Sequence, residues 1–275
     1  MSARELVNGV AGAQLSASDR GLLYGDGLFE TILFVRGAAP LWARHMQRLQ
    51  CGCDRLALPA PDRENLAREA ARVSEGMARA VVRVTLTRGS GARGYALPDA
   101  IQPSRIVAAF DPPFTPADWY AGGIRVRFGE LCLAAQPRLA GIKHLNRLEQ
   151  VLARAEWNDP DVIEALLCDD RGCVISATAA NVFVARGGTL ATPRLDRCGV
   201  EGIARAEALA QVANAEVREI SREEVMQADE IFLCSSVRGI LPVRELAGRV
   251  FEPGPFARAL QAHWRVLGLL PECAA

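Results

Sequence analysis

The chain has 275 residues, half of them hydrophobic, enough for one large buried core or two smaller ones. Thirty-two basic and 32 acidic residues cancel to a formal net charge of zero, and no basic cluster rises above the scattered arginines, which excludes nucleic acid or a membrane surface as the primary partner. The N-terminal MSARELVNGVAG has no apolar signal core and no apolar run approaches the roughly 18 residues of a membrane helix, so a cytoplasmic location is expected.

In chain order, apolar residues at helical spacing (Leu66, Ala70, Val73, Met77) predict a helix over 63–78. Period-two or apolar runs predict strands at 80–88, 105–110 and 124–128. Between the last two lies DPPFTP, whose three prolines mark the best domain boundary: a smaller domain over 1–111, a linker over 112–116 and a larger domain over 117–275. Beyond it come a helix over 144–157 (Leu145, Leu148, Leu152, Ala155), strands at 163–168, 181–185 and 230–234, and a helix over 256–268. Strands and helices intermix, so the fold class is α/β or α+β. The eight cysteines form no CxxC pair and several sit in strand-like runs such as IEALLC and EIFLC, so they read as reduced structural thiols.

Residues 89–94, GSGARG, satisfy GxGxxG after a predicted strand, but YALPD follows, and Pro98 would interrupt the helix that a dinucleotide fold needs there. A mobile glycine-rich loop is expected instead, carrying Arg88, Arg93 and Tyr95, with a guanidinium to offer a substrate carboxylate.

Lys143 is the only lysine among 32 basic residues. A composition that has made every other basic residue arginine keeps a lysine where chemistry needs an amine, because arginine stays protonated and lysine can act as a nucleophile. The alternative is a surface lysine that merely persisted.

The segment GIKHLNRLEQVL resembles the Schiff-base segment of the aminodeoxychorismate lyases, within the class-IV (fold type IV) aminotransferase family that depends on pyridoxal 5′-phosphate (PLP). The resemblance runs the length of the chain, through Asp19-Arg20-Gly21, YGDGLFET at 24–31, HMQRL at 45–49, RGSGARGY at 88–95 and Asn181-Val182-Phe183. It implies a two-domain, D-amino-acid aminotransferase-like fold with the lysine on the larger domain, the cofactor in the cleft and a homodimer completing the site. It implies that Lys143 carries PLP and serves as general base and acid. Arg48 would grip the phosphate, Ile203 and Ala204 would offer backbone N–H groups at a helix start, and Ser236, with Ser235 as substitute, would donate a hydroxyl. Arg93, Tyr95, Thr31 and His144 are candidate substrate contacts.

The family glutamate that pairs with the pyridine nitrogen falls, five residues before Asn181, on Ser176. A hydroxyl can hydrogen-bond to that nitrogen but cannot keep it protonated, which penalises transamination more than elimination. The resemblance therefore implies release of pyruvate from aminodeoxychorismate to give 4-aminobenzoate for folate synthesis. Its alternatives are a branched-chain or D-amino-acid aminotransferase and a PLP-binding protein without catalysis. No metal is expected.

Overall fold

The computed structural model describes residues 4–270, and the chain divides into two units: Met1–Pro113 with Ile142–Asn146, and Phe114–Gly141 with Arg147–Ala275.

The first unit contains β1 (Glu5–Val7), α1 (Arg20–Tyr24), β2 (Gly27–Val35), α2 (Trp42–Leu56), α3 (Arg63–Val73), β3 (Arg79–Thr87) and β4 (Ser104–Phe110). Its four strands form an antiparallel sheet in the order β1-β4-β3-β2. The β-branched run of β3 pairs along its whole length with β2, from Gly27 opposite Thr87 to Val35 opposite Arg79. The α2 helix buries His45, Met46, Leu49, Gly52 and Cys53. Gly52 lets it approach β2 closely, since a Cβ there would lie 2.8 Å from Leu28. Asp62 caps α3 by accepting from Asn65 N at 2.7 Å, and Leu66, Ala70 and Val73 form its buried face.

The start of the outer edge of β2 is covered by the lysine segment. Phe29 N donates to Lys143 O at 2.9 Å, Leu145 N donates to Gly27 O at 3.0 Å, and Leu28 bridges His144. This pairing holds 143–145 extended, so the helix expected from 144 begins at Leu148. It also groups the lysine with the first unit, where the sequence reading put it on the larger domain.

The glycine-rich loop is pinned rather than mobile. Arg20, almost fully buried, donates to the carbonyls of Gly94 (3.0 Å), Tyr95 (3.4 Å) and Ala96 (3.2 Å), and to Asp26 (2.9 Å). Tyr24 Oη accepts from Gly94 N at 3.2 Å. Gly89, at φ +82°, could carry no Cβ, which would sit 1.9 Å from Gln102 O. No helix follows Gly94. Arg88 is committed to structure, bonded to both Asp26 oxygens and to the carbonyls of Leu56 and Ala57.

The second unit contains α4 (Ala117–Ala121), β5 (Ile124–Leu133), α5 (Leu148–Arg154), β6 (Val162–Asp169), β7 (Val174–Ala177), β8 (Asn181–Arg186), β9 (Thr189–Pro193), α6 (Ile203–Gln211), β10 (Glu216–Arg218), α7 (Arg222–Met226), β11 (Glu230–Ser235), β12 (Gly239–Leu246), β13 (Arg249–Val250) and α8 (Pro255–Val266). Its sheet runs β10-β9-β8-β11-β12-β5-β6-β7, with β13 on β12. The β12/β5, β5/β6 and β10/β9 pairs are parallel and the rest antiparallel. Phe183 and Phe232, directly opposite on β8 and β11, stack at 5.0 Å in the core. Glu230 closes the start of α8, accepting from Phe256 N and Ala257 N.

Candidate active site

The first-unit residues converge on β2. Lys143, half-buried, has its main chain fixed by the β2 hydrogen bonds, and its Nζ lies 4.3 Å from the centre of the Phe29 ring. Glu30, the next residue on β2, is buried and accepts from Arg48 Nε (2.8 Å) and Nη2 (2.5 Å), while His45 Nδ1 lies 2.6 Å from its Oε2. His45 and Arg48 stand three apart on α2, so one helical face presents both to the strand. Burial alone would push the Glu30 carboxyl up, but the Arg48 guanidinium and His45 hold it down to about 2. Burial pushes the His45 ring below its ordinary value against the pull of Glu30. Arg48 Nε and Nη2 are thereby committed to Glu30.

Of the expected substrate contacts, Thr31 lies on β2 opposite Arg83, and His144 sits beside Lys143 on the covering segment. Tyr95 is exposed at the loop tip, its ring 5.3 Å from Tyr24, and Arg93 occupies the same pinned loop.

The second unit provides a helix start without a side-chain cap. Gly202 is the N-cap of α6, and Ile203 and Ala204 are its first, buried residues. Asn181 holds the approach to the helix, donating from Nδ2 to Val200 O at 2.9 Å. Its Oδ1 lies 1.9 Å from where a Cβ of residue 202 would be, so only glycine fits. Ser235 Oγ accepts from Arg238 N at 3.2 Å, and Ser236 follows it at the start of the turn between β11 and β12. Ser176 is buried on β7 opposite Leu167.

The sequence reading did not find the buried Glu164 of β6. Its carboxyl accepts from Thr178 Oγ1, two residues past Ser176, and burial raises its pKa although hydrogen bonds from Thr178 and Ala179 oppose this. It missed the Glu30–His45 pairing too. The available signal was an acid inside apolar strand sequence, as in LFETILF and VIEALL.

Comparison with known proteins decides the family: the sequence profile of amino-transferase class IV matches residues 27–246. The chain belongs to the class-IV aminotransferase family. Within this family it is similar to the aminodeoxychorismate lyase of Vibrio harveyi, 30% identical over 265 residues, which are 94% of this chain and 98% of that one. The crystal structure of 4-amino-4-deoxychorismate lyase from Pseudomonas aeruginosa superposes with a TM-score of 0.91 at 42% identity, covering 95% of this chain and 98% of that one. The branched-chain amino acid aminotransferase of Escherichia coli shares the fold, with a TM-score of 0.82 at 22% identity, covering 99% and 97%. The residues present fit PLP, the cofactor of this family. In the first unit Lys143 supplies an amine from a segment whose main chain is held against β2; in the second, the glycine-capped start of α6 offers N–H donors to a dianion, where any larger residue at 202 would collide with Asn181.

Proposed function

We propose that this class-IV enzyme is a PLP-dependent 4-amino-4-deoxychorismate lyase, releasing pyruvate and 4-aminobenzoate. The observation that carries the reading is the 42% identity to a lyase over nearly its full length, above the 22–32% shared with aminotransferases of the family. In this reading Lys143 Nζ is the point of cofactor attachment, with the phosphate bound by Ile203 N, Ala204 N, the Ser236 hydroxyl and the Arg48 guanidinium. PLP, when bound, supplies an electron-withdrawing ring conjugated to the substrate's amino carbon and so acidifies the hydrogen on C4. Lys143, released by the incoming substrate amine, takes that proton. The C3–O bond of the substrate then breaks, enolpyruvate leaves and becomes pyruvate, and the carbocycle becomes aromatic. The Glu30–His45–Arg48 assembly orients Arg48 through a buried carboxylate that stays ionised. Ser176 gives the ring nitrogen a hydroxyl in place of a carboxylate, a choice that favours elimination over transamination. Thr31, Arg93, Tyr95 and His144 are the proposed substrate contacts.

A cytoplasmic location accords with seven free cysteines among the described residues. No described helix is long and apolar enough to cross a membrane. A homodimer accords with the exposed Leu22 and Leu23 of α1 and Tyr95, and sedimentation tests it.

The function is tested by supplying aminodeoxychorismate, made in place from chorismate and glutamine by its synthase, and following both products with Lys143→Ala as control. Equal amounts of 4-aminobenzoate and pyruvate, lost in the variant, support the lyase. Amino transfer to 2-oxoglutarate without either product would replace it with the aminotransferase.

A further inference from the structure

Arg238 lies in the three-residue turn between β11 and β12, two residues after Ser236. Its backbone is fixed by the bond from Arg238 N to Ser235 Oγ, and its guanidinium carbon is 5.7 Å from the centre of the Trp119 ring. Other arginines drawn in from solvent are matched to acceptors: Arg20 and Arg88 to Asp26, the half-buried Arg48 to Glu30, and Arg205, on α6, to Thr192 Oγ1 and Pro193 O. Arg238 is different. Among the described residues its side chain makes no hydrogen bond or ion pair, and its buried Nε has no acceptor at all.

Glu164 is the carboxyl in electrostatic reach of Arg238. The two form no ion pair, and the Glu164 oxygens are already engaged by Thr178 Oγ1 and by the amides of Thr178 and Ala179. A guanidinium set beside an indole ring, with one donor desolvated and without a partner, is preorganised for an anion supplied from outside. Planar carboxylates match its fork.

We propose that Arg238 binds a carboxylate of the substrate, making the β11–β12 turn a specificity element that favours dicarboxylic substrates over monocarboxylic amino acids. This rests on the lyase reading, whose substrate carries two carboxylates. The Ser236 hydroxyl and the Arg238 side chain of one short turn then serve two different anions, the cofactor phosphate and the substrate.

The test uses the PLP-loaded enzyme and chorismate, a dicarboxylate without the amine needed to displace Lys143. Titration of wild type and Arg238→Gln is expected to show chorismate binding weakened ten- to a hundred-fold in the variant. The KM for aminodeoxychorismate should rise by the same factor, with kcat changed less than about threefold and PLP content unaltered. Arg238→Lys should recover part of the loss. Equal affinity and KM in wild type and Arg238→Gln would overturn the assignment while leaving the lyase reading intact. Wild type that binds chorismate through Arg238 yet forms no 4-aminobenzoate would sink the lyase reading and keep the carboxylate site. Wild type that does not bind chorismate overturns the site. Should Arg238→Gln lose its fold, modification of wild type by phenylglyoxal decides: chorismate shielding the Arg238 peptide supports the proposal, and unshielded modification overturns it.

Discussion

Replacing Glu30 by glutamine removes the single negative charge between Arg48 and His45 while keeping the shape of the side chain. The carboxyl titrates at about 2 in the folded chain against an ordinary 4.5, and at about 1.4 kcal/mol per pH unit that gap stabilises the fold by about 3 kcal/mol. Because the folded value is depressed, the stabilisation is fully present above about pH 5 and is lost as pH falls toward 2. Stranding Arg48 without its counterion gives an independent expectation of about 3–5 kcal/mol at neutral pH. Urea titrations of wild type and Glu30→Gln, followed by circular dichroism, should therefore differ by about 3 kcal/mol at pH 7 and by about 2 kcal/mol near pH 3.5, converging near pH 2. Subtracting the variant cancels the other carboxylates that titrate in that window, such as Asp26, whose pKa is lowered despite its burial by its bonds to Arg88 and Arg20. A difference that stays constant from pH 7 to pH 3 would refute the reasoning, because it would mean that the carboxylate is not held ionised by its partners.

Three further outcomes follow from the geometry. Arg20→Ala removes the donors that tie down residues 94–96 and leaves Asp26 with one partner, so stability should fall by about 3 kcal/mol and trypsin should cut at Arg93 in the native protein; resistance there would mean the loop is held otherwise. Gly202→Ala drives a methyl into Asn181 Oδ1, and the displaced start of α6 should weaken PLP retention at least tenfold, measured by dialysis and absorbance, while the overpacking costs about 1–3 kcal/mol; retention at the wild-type level would remove α6 from the phosphate site. Ser176→Glu restores the acid that the resemblance leads one to expect and should raise the ratio of amino transfer to pyruvate release; an unchanged ratio would show that residue 176 does not select between the two reactions.

Much of the fold is legible in the sequence where periodicity is strong. The strands expected at 80–88, 105–110, 163–168 and 230–234 are β3, β4, β6 and β11, and the helices expected over 63–78 and 256–268 are α3 and α8, each to within a few residues except at the end of α3. That helix stops at Val73 because Ser74 turns its hydroxyl back to Ala70 O and Gly76 takes φ +75°. The helical spacing at 144–157 was misleading at its start, because Leu145 is apolar for packing against Gly27 rather than for a helix face, and long-range pairing with β2 overrides local propensity. The lone lysine stood out from composition alone, and the start of α6 from its glycines. The partners of Arg48 and Glu164 and the isolation of Arg238 were invisible, since each depends on which strands become neighbours and no local pattern encodes that. The rigidity of the glycine-rich loop was hidden for the same reason: Arg20 is 74 residues from the first carbonyl it holds.

The strip formed by residues 142–146 along β2 bears on which pieces of this polypeptide can exist alone. β2 is the last strand of its sheet, nine residues long and largely buried, and the strip occupies outer groups at its start, Gly27 O and Phe29 N. A polypeptide ended at Pro113 would keep all four strands yet present that edge bare, and a long apolar edge recruits a second copy of itself. Residues 1–113 are therefore not an exchangeable cassette: any rearrangement that moves them must bring 142–146 along, and the stretch that closes the start of that edge is the one that carries Lys143.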